Sequence, residues 1–279
     1  MLFAYAVTAL ASVAGVWARA VPSPVEVMKR THIAGSVITK CSKTGVLALA
    51  YDDGPYQYTS SLVDTLNNAG VKGTFFFTGT LPGPADTEGC DSGCIYNQRA
   101  AVKKAYDSGH QVASHTWTHP HMGSMSAGAI QSEMEKVEQA FVNIFGRKPA
   151  YVRPPYLETG GQFLNVMRQM NYTVINDDID TGDWNNQSPA SSEAMFTRAG
   201  AGGQGHIPLM HETYQSTVTT LTNWLINWAK TNNLKIVTIQ LCVVCELVLT
   251  LVARLAECLD DAGGMYKQGT FTGNGASSC

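Results

Sequence analysis

Short apolar runs alternate along the chain with longer segments in which apolar residues recur every three or four positions. The first pattern is typical of buried strands and the second of amphipathic helices. The predicted strands are Val46–Tyr51, Thr74–Phe77, Gln111–Ser114, Ala150–Arg153, Tyr172–Asn176, Ile207–His211 and Lys235–Ile239. Two of the intervening helices are predicted over Ser126–Phe145, with Ser126 as the cap, and over Tyr214–Lys230.

This strand–helix alternation predicts an α/β fold with a parallel sheet. A continuous series of short apolar strands favours a closed β/α barrel, and an open doubly wound sheet is the second possibility. Hydrophobic residues make up 44% of the 279 and charged residues 15%, which is typical of a folded chain. The formal charge is −3 and no basic stripe is present, so nucleic acid is not expected as a partner.

Ionisable side chains follow five of the predicted strands, at the point where each strand ends. In a β/α barrel these positions open onto one face, where such barrels build their active sites. The residues are Asp52 and Asp53, His115 and His119, Arg153, Asp180 and Asp183 with Trp184, and His211. The sequence therefore predicts one site assembled from five separate segments.

Two histidines in this set have the spacing of metal ligands. His115 and His119 lie four positions apart, so their imidazoles could reach one ion if the chain turns between them. A carboxylate from Asp52 or Asp53 would complete a set of two His and one Asp, which leaves positions open for water and substrate. A histidine pair without a ligand is the alternative. The neighbouring His121 is either a bystander or a residue of a substrate groove.

The remaining polar residues are suited to acid–base chemistry. The second carboxylate of the pair could take a proton from water, and His211 could give one to a leaving group. Asp183 could orient that imidazole and stabilise its protonated form, and Arg153 could hold Asp52 in place. Taken alone, His211 would be interpreted as a satisfied core histidine.

The amino terminus has the pattern of a secretory signal. Leu2–Trp17 is apolar, is followed by a small-x-small pattern ending at Ala20, and is too short for a comfortable membrane span. We therefore expect a signal peptide over residues 1–20. Residues 21–30 end in two basic residues and form either a propeptide or an exposed linker. These features predict a secreted protein that acts outside the cell or in the cell wall.

Five motifs occur in the order found in NodB-like polysaccharide deacetylases (carbohydrate esterase family 4). They are Asp52-Asp53-Gly54-Pro55, His115-Thr116-Trp117-Thr118-His119, Arg153-Pro154-Pro155-Tyr156, Asp180-Thr181-Gly182-Asp183-Trp184 and Leu209-Met210-His211. The chain resembles secreted fungal chitin deacetylases in particular, from Val37 to Ile239. The resemblance implies a distorted β/α barrel and a catalytic domain over residues 31–262.

The resemblance also implies a reaction, which is metal-dependent N-deacetylation of chitin or chitooligosaccharides. A divalent metal, zinc or cobalt, would be held by Asp53, His115 and His119. Asp52 would be the base and His211 the acid.

Three further residues receive roles from the resemblance. The backbone N–H of Tyr156 would stabilise the oxyanion of the tetrahedral intermediate. Trp184 and Leu209 would form the walls of a pocket for the acetyl methyl group.

We expect the protein to be a monomer.

Other functions on the same motifs stay open. The core motifs cannot separate chitin from acetyl xylan or peptidoglycan as the substrate, because surrounding loops set the subsites. A non-catalytic carbohydrate-binding protein is a second alternative, although such a protein would need neither Asp52 nor His211. A structural protein of the cell wall is a third alternative, but such a protein would not need polar residues at the strand ends.

Seven cysteines in a chain predicted to be secreted indicate disulfide bonds, with one cysteine left over. The resemblance implies that Cys41 pairs with Cys258 and that Cys90 pairs with Cys94.

The chain departs from the family pattern at three places. Tyr51 replaces the usual Phe, so its hydroxyl needs a partner if it is buried. Residues 240–255 form an apolar insertion, interpreted as a helix, whose uncharged stretch between Glu246 and Arg254 is too short for a membrane span. Residues 263–279 are Gly/Ser-rich and are predicted to be a flexible tail.

Overall fold

The computed structural model describes residues 34–80, 94–243, 265–267 and 269–276. Within these ranges the strands are β1 (Val37–Ile38), β2 (Val46–Leu47), β3 (Ala50–Asp52), β4 (Thr74–Phe77), β5 (Gln111–Ser114), β6 (Tyr151–Val152), β7 (Thr173–Ile175), β8 (Ile179–Asp180), β9 (Pro208–Leu209) and β10 (Lys235–Ile236). Six of them form one parallel sheet in the order β1-β7-β6-β5-β4-β3. Two shorter parallel pairs are β2 with β10 and β8 with β9.

Helices separate most of the strands along the chain. They are α1 (Thr59–Asn68), α2 (Arg99–Asp107), α3 (Ala127–Phe145), α4 (Phe163–Gln169), α5 (Pro189–Ala199), α6 (Thr222–Thr231) and α7 (Ile239–Val243). The predicted cap of α3 is confirmed, because the Ser126 hydroxyl accepts a hydrogen bond from the Ala129 N–H at 3.3 Å. The helix ends at Gly146, whose φ of 77° favours glycine.

The six-stranded sheet is continued at its β3 edge, which curls it toward a barrel. Asp52 and His211 form a parallel bridge, and the Asp52 N–H donates to the Met210 carbonyl at 2.8 Å. Earlier in the same segment, the Ala48 N–H donates to the His206 carbonyl at 2.9 Å. Parallel pairing therefore passes from β3 to the β8–β9 pair. The predicted α/β fold, a distorted barrel of parallel strands, is confirmed.

The central strands are buried on both faces. All four residues of β4 and all four of β5 are buried, and successive residues of β4 point into different core clusters. This two-sided burial explains why the sequence shows uninterrupted apolar runs in place of alternation. The bounds of β4 and β5 are as predicted. The two-residue strands β1 and β8 are missed, because so short a run carries no periodic signal.

The Tyr51 hydroxyl finds the partner that its burial requires. Tyr51 is fully buried, its ring stacks on Phe75 with centroids 5.6 Å apart, and its hydroxyl lies 3.0 Å from Thr222 Oγ1. The substitution of Tyr for Phe at this position is therefore compensated by a hydroxyl from α6.

The disulfide of Cys41 differs from the prediction. Cys41 is bonded to Cys242, with the two Cα atoms 4.9 Å apart, so the pairing with Cys258 is wrong. The chain turns into α7 directly after β10, and this turn brings Cys242 against the segment that follows β1. Ser42 N–H donates to the Cys242 carbonyl at 3.1 Å in the same contact. Cys94 is disulfide-bonded as well, and its predicted partner Cys90 lies outside the described residues.

The described part of the carboxyl-terminal tail packs against the domain, whereas the sequence predicts a flexible segment. Tyr266 is buried, its ring contacts Tyr106 and Phe145, and its hydroxyl accepts a hydrogen bond from Val112 N–H at 3.2 Å. Lys267 forms an ion pair with the buried carboxylate of Glu138. Glycine and serine content indicated a linker, but one aromatic ring and one buried cation are enough to anchor it.

Several predicted segments lie outside the described residues. These are the signal peptide over 1–20, the segment 21–30, and the insertion beyond Val243. The first residues of the insertion belong to the short helix α7. Across the ranges given above, no helix combines the length and apolar character that crossing a membrane requires.

We expect Tyr266→Ala to lower the free energy of unfolding by about 3 kcal/mol, because it removes a buried aromatic ring. Urea denaturation followed by tryptophan fluorescence measures the change. Thr272→Ala, at an exposed position of the same tail, should lie within about 0.5 kcal/mol of the unaltered protein. Equal stability of the two variants would contradict the packing of the tail.

Candidate active site

The ionisable residues predicted from the strand ends do come together in space. They lie at the carboxyl ends of β3, β5, β6, β8 and β9, which face the same side because the strands are parallel. The convergent residues are Asp52, Asp53, His115, His119, Arg153, Asp183 and His211. They form three groups, which are the cluster of Asp53, His115 and His119, the pair of Asp52 with Arg153, and the pair of His211 with Asp183.

The first group has the geometry of a metal-ligand set. Asp53 Oδ1 lies 3.3 Å from His115 Nε2 and 3.3 Å from His119 Nε2. The three ligand atoms all lie within 4.8 Å of one another. Asp53 and His119 have positive φ angles of 66° and 55°, so local backbone conformation turns both side chains toward a common point.

The donor set fits a divalent cation. His115 Nδ1–H donates to the Arg153 carbonyl at 2.6 Å, which leaves the lone pair of Nε2 directed at the cluster. Burial is the largest cause that lowers the pKa of His119 to about 4, so this imidazole is neutral near pH 7. Asp53 Oδ1 is buried and accepts no hydrogen bond from the described residues. Two imidazole nitrogens and one unsatisfied carboxylate oxygen are typical ligands of zinc.

The second group is a buried ion pair between Asp52 and Arg153. Arg153 Nη1 donates to Asp52 Oδ1 at 2.9 Å, and both side chains are almost completely buried. Arg153 Nη2 also donates to the carbonyls of Asn176 and Pro208, at 3.2 and 3.4 Å. The second carboxylate oxygen of Asp52 stays directed at the cluster, 4.0 Å from His115 Nε2. The carboxylate of Asp52 is therefore held in one orientation.

The third group pairs His211 with Asp183. His211 Nδ1–H donates to Asp183 Oδ1 at 2.7 Å, and Asp183 Oδ2 accepts from the His211 N–H and from the Thr217 hydroxyl, each at 2.7 Å. Burial alone would lower the pKa of His211. The hydrogen bond and charge of Asp183, together with the charges of Asp53 and Asp52, outweigh burial and raise the pKa to about 9. His211 therefore keeps a proton near pH 7, and its Nε2 lies 3.9 Å from Asp53 Oδ2.

Exposed aromatic side chains surround this buried centre. Tyr156 is 54% exposed and Trp184 is 51% exposed. The Trp184 indole N–H donates to the Asp180 carboxylate, at 3.1 Å to the nearer oxygen, which fixes the ring orientation. His121 stacks on Tyr156 with centroids 3.8 Å apart, so the residue left open by the sequence belongs to this rim. Leu209, predicted for the methyl pocket, is buried at the end of β9.

Sequence reasoning missed two buried carboxylates beside the site. Glu133 lies on α3 and accepts hydrogen bonds from the loop between His115 and His119. Glu212 follows His211, accepts a hydrogen bond from the Thr59 hydroxyl and packs against Gly54, where an added Cβ would lie 1.9 Å from Glu212 Oε1. Burial raises the pKa of Glu212 to about 8. An acidic residue inside the apolar stripe of α3 is the signal that could have identified Glu133.

Comparisons with known proteins agree with this arrangement. A family model described as polysaccharide deacetylase matches residues 39–175. A chitin deacetylase of Pestalotiopsis sp is 35% identical over 224 residues, which cover 80% of this chain and 72% of the relative. A probable peptidoglycan-N-acetylglucosamine deacetylase of Arthroderma benhamiae is 34% identical over 211 residues, which cover 75% of this chain and 46% of that protein's length.

One solved structure extends the comparison to three dimensions. The chitin deacetylase from the fungal pathogen Colletotrichum lindemuthianum superposes with a TM-score of 0.66 and 30% identity, over 76% of this chain and 92% of that chain. The family model spans the first three of the five motifs found in the sequence, and the relatives and this structure extend the match over three quarters or more of the chain. The chain therefore belongs to the polysaccharide deacetylase family, and the prediction that it is a hydrolase is confirmed.

Proposed function

We propose that the protein hydrolyses N-acetyl groups of chitin or chitooligosaccharides in a metal-dependent reaction that releases acetate and free amines. The observation that carries this proposal is the placement of two differently supported proton-transfer groups beside one ligand cluster. Asp52 and His211 each have an atom within 4.0 Å of a cluster member. A protein that only binds a metal or a sugar needs neither group.

Asp53, His115 and His119 would hold the metal, and zinc is the first choice because it accepts His and carboxylate ligands in open catalytic sites. Cobalt is the second choice. When bound, such an ion supplies Lewis-acid chemistry, which polarises an acetyl carbonyl and makes water more acidic.

The two proton-transfer groups have opposite tasks. Asp52 takes the proton of the attacking water, and Arg153 holds its carboxylate in the orientation that this transfer needs. His211 gives its proton to the departing nitrogen, and Asp183 stabilises the imidazolium before that transfer. The C–N bond of the amide breaks, a C–O bond forms, and the products are acetate and an amine.

The rim residues would position the sugar and the acetyl group. We assign the Tyr156 backbone N–H to the developing oxyanion, and Trp184 and Leu209 to the walls that enclose the methyl group. Trp184 is suited to this because its indole is held by Asp180 and its ring stays half exposed. Such preorganised groups lower the barrier because they need no rearrangement during the reaction.

Chitin is proposed as the substrate because two of the proteins compared above are described as chitin deacetylases. Peptidoglycan is the second candidate, since another relative of similar identity is described as a probable peptidoglycan-N-acetylglucosamine deacetylase. We further propose that the protein is secreted, acts outside the cell or in the cell wall, and is a monomer.

Replacing the proposed base tests the enzymatic role directly. Asp52→Asn should lower kcat for acetate release from N-acetylglucosamine oligomers by about 10²- to 10⁴-fold, because Asn accepts the Arg153 hydrogen bond but takes no proton. Zinc content and oligomer binding should be unchanged. Asp107→Asn, which alters an exposed ion pair with Lys103, is the control and should keep full activity. Equal kcat in both variants would contradict the role of Asp52.

The pH dependence tests the proposed acid. His211 must be protonated to act as the acid. Asp183→Asn should therefore shift the alkaline limb of the kcat–pH profile by about 1–3 units toward lower pH. The chain offers a matched control in His206–Asp178, a second His–Asp pair with Nδ1 and Oδ2 2.6 Å apart, at the amino ends of β8 and β9. Asp178→Asn should leave the limb in place. An unmoved limb in Asp183→Asn would exclude His211 as the acid.

The His211–Asp183 pair should also make the stability of the protein depend on pH. The pKa of His211 is about 9 in the folded protein against 6.5 for the free side chain. Its contribution to the free energy of unfolding is therefore complete below about pH 6.5 and is lost as the pH rises through about 9. Urea midpoints across this range should fall less steeply in Asp183→Asn than in the unaltered protein. An equally steep fall in both would show that this pair does not stabilise the fold.

A further inference from the structure

The loop between the two histidine ligands has an unfavourable backbone conformation. It joins β5 to the segment before α3, and it is not helical. Thr116 has a φ of 71° and His119 a φ of 55°, values that non-glycine residues rarely adopt. A loop of this kind keeps its shape only when surrounding contacts impose it.

One side chain from α3 makes three hydrogen bonds to this loop. Glu133 Oε2 accepts from the Trp117 N–H at 3.0 Å and from the Thr118 N–H at 2.7 Å. Glu133 Oε1 accepts from the Thr118 hydroxyl at 3.1 Å. All three donors lie between His115 and His119 in the sequence, so the carboxylate acts at the middle of the ligand-bearing segment.

The loop is held on its other side by β4 and the residues that follow it. The Gly79 N–H donates to the Thr116 carbonyl at 3.1 Å, and the Thr80 N–H donates to the Trp117 carbonyl at 2.8 Å. The Trp117 ring covers Gly79 so closely that an added Cβ would lie 1.9 Å from it. Gly79 and Thr80 thus fix the Thr116 and Trp117 carbonyls. Glu133 alone among the described side chains accepts from the Trp117 and Thr118 N–H groups.

We propose that Glu133 is a positioning residue, whose buried carboxylate holds the loop in the conformation that directs both imidazoles at one metal ion. This inference rests on the proposed metal-dependent function. Glu133 is only 8% exposed and lies in the middle of α3, so neither solvent exposure nor capping of the helix explains an acidic residue there. Its three hydrogen bonds go to the loop, and its role follows from them.

Three substitutions separate the effect of the length of the Glu133 side chain from the effect of its charge. Glu133→Ala removes all three acceptors and should weaken zinc binding by about 10- to 100-fold, as loss of outer-shell support typically does. Glu133→Gln keeps an oxygen at the position that accepts from the two N–H groups, so zinc affinity should stay close to that of the unaltered protein. Glu133→Asp keeps the charge but withdraws the carboxylate by one methylene, so affinity should fall.

The measurement is zinc affinity of the full chain, determined by competition with a chelating dye, with circular dichroism as the check on folding. Glu135→Ala, on the exposed face of the same helix, is the matched control and should bind zinc normally. If Glu133 were merely structural, replacing it would change the melting temperature and leave the zinc affinity of the folded protein unchanged.

Distinct outcomes separate this inference from the proposed function. Normal zinc affinity in Glu133→Ala and Glu133→Asp would overturn the positioning role. A loss of zinc affinity in Glu133→Gln, with normal affinity in Glu133→Asp, would overturn it too. The charge of the side chain, and not its length, would then determine the affinity. If Glu133→Ala does not fold, the Gln and Asp variants decide alone. Failure of the unaltered protein to bind zinc would instead contradict the proposed function.

Discussion

The site depends most on the contacts of the buried Arg153 guanidinium. From the end of β6 it reaches the Asp52 carboxylate and the carbonyls of Asn176 and Pro208, which belong to or follow three other strands. Its own backbone carbonyl accepts the Nδ1–H of His115. One residue therefore links the proposed base, a proposed metal ligand and two further strands. Removing it would leave a buried carboxylate without its partner, which is strongly destabilising.

Charge balance explains why this centre is suited to a cation. Three buried or nearly buried carboxylates, those of Asp52, Asp53 and Asp183, surround the site. Arg153 compensates the first and a protonated His211 the third. Asp53 faces two imidazoles, of which one is neutral near pH 7. Asp53 Oδ1 accepts no hydrogen bond from the described residues, so a divalent ion would complete the charge balance there.

The sequence predicts the fold and the site residues because both follow from local patterns. Two-sided burial makes β4 and β5 uninterrupted apolar runs, and parallel strands oblige residues such as Asp52 and His211 to meet at one end. The pairing of Cys41 with Cys242 joins segments that only tertiary packing brings together, and so do the hydrogen bonds of Glu133 to the loop between His115 and His119. Periodicity can show that Glu133 is an acidic residue in an apolar stripe, but neither periodicity nor spacing encodes the contacts that Glu133 or Cys41 makes.

Metal titration of the chelator-stripped protein, with acetate release from N-acetylglucosamine oligomers followed at each addition, tests whether turnover depends on the metal. We expect no turnover without metal, and activity that rises with added zinc and levels off at one ion per chain. Full activity in the stripped protein would contradict this expectation, and so would a folded protein that binds one zinc ion yet releases no acetate from these oligomers or from peptidoglycan.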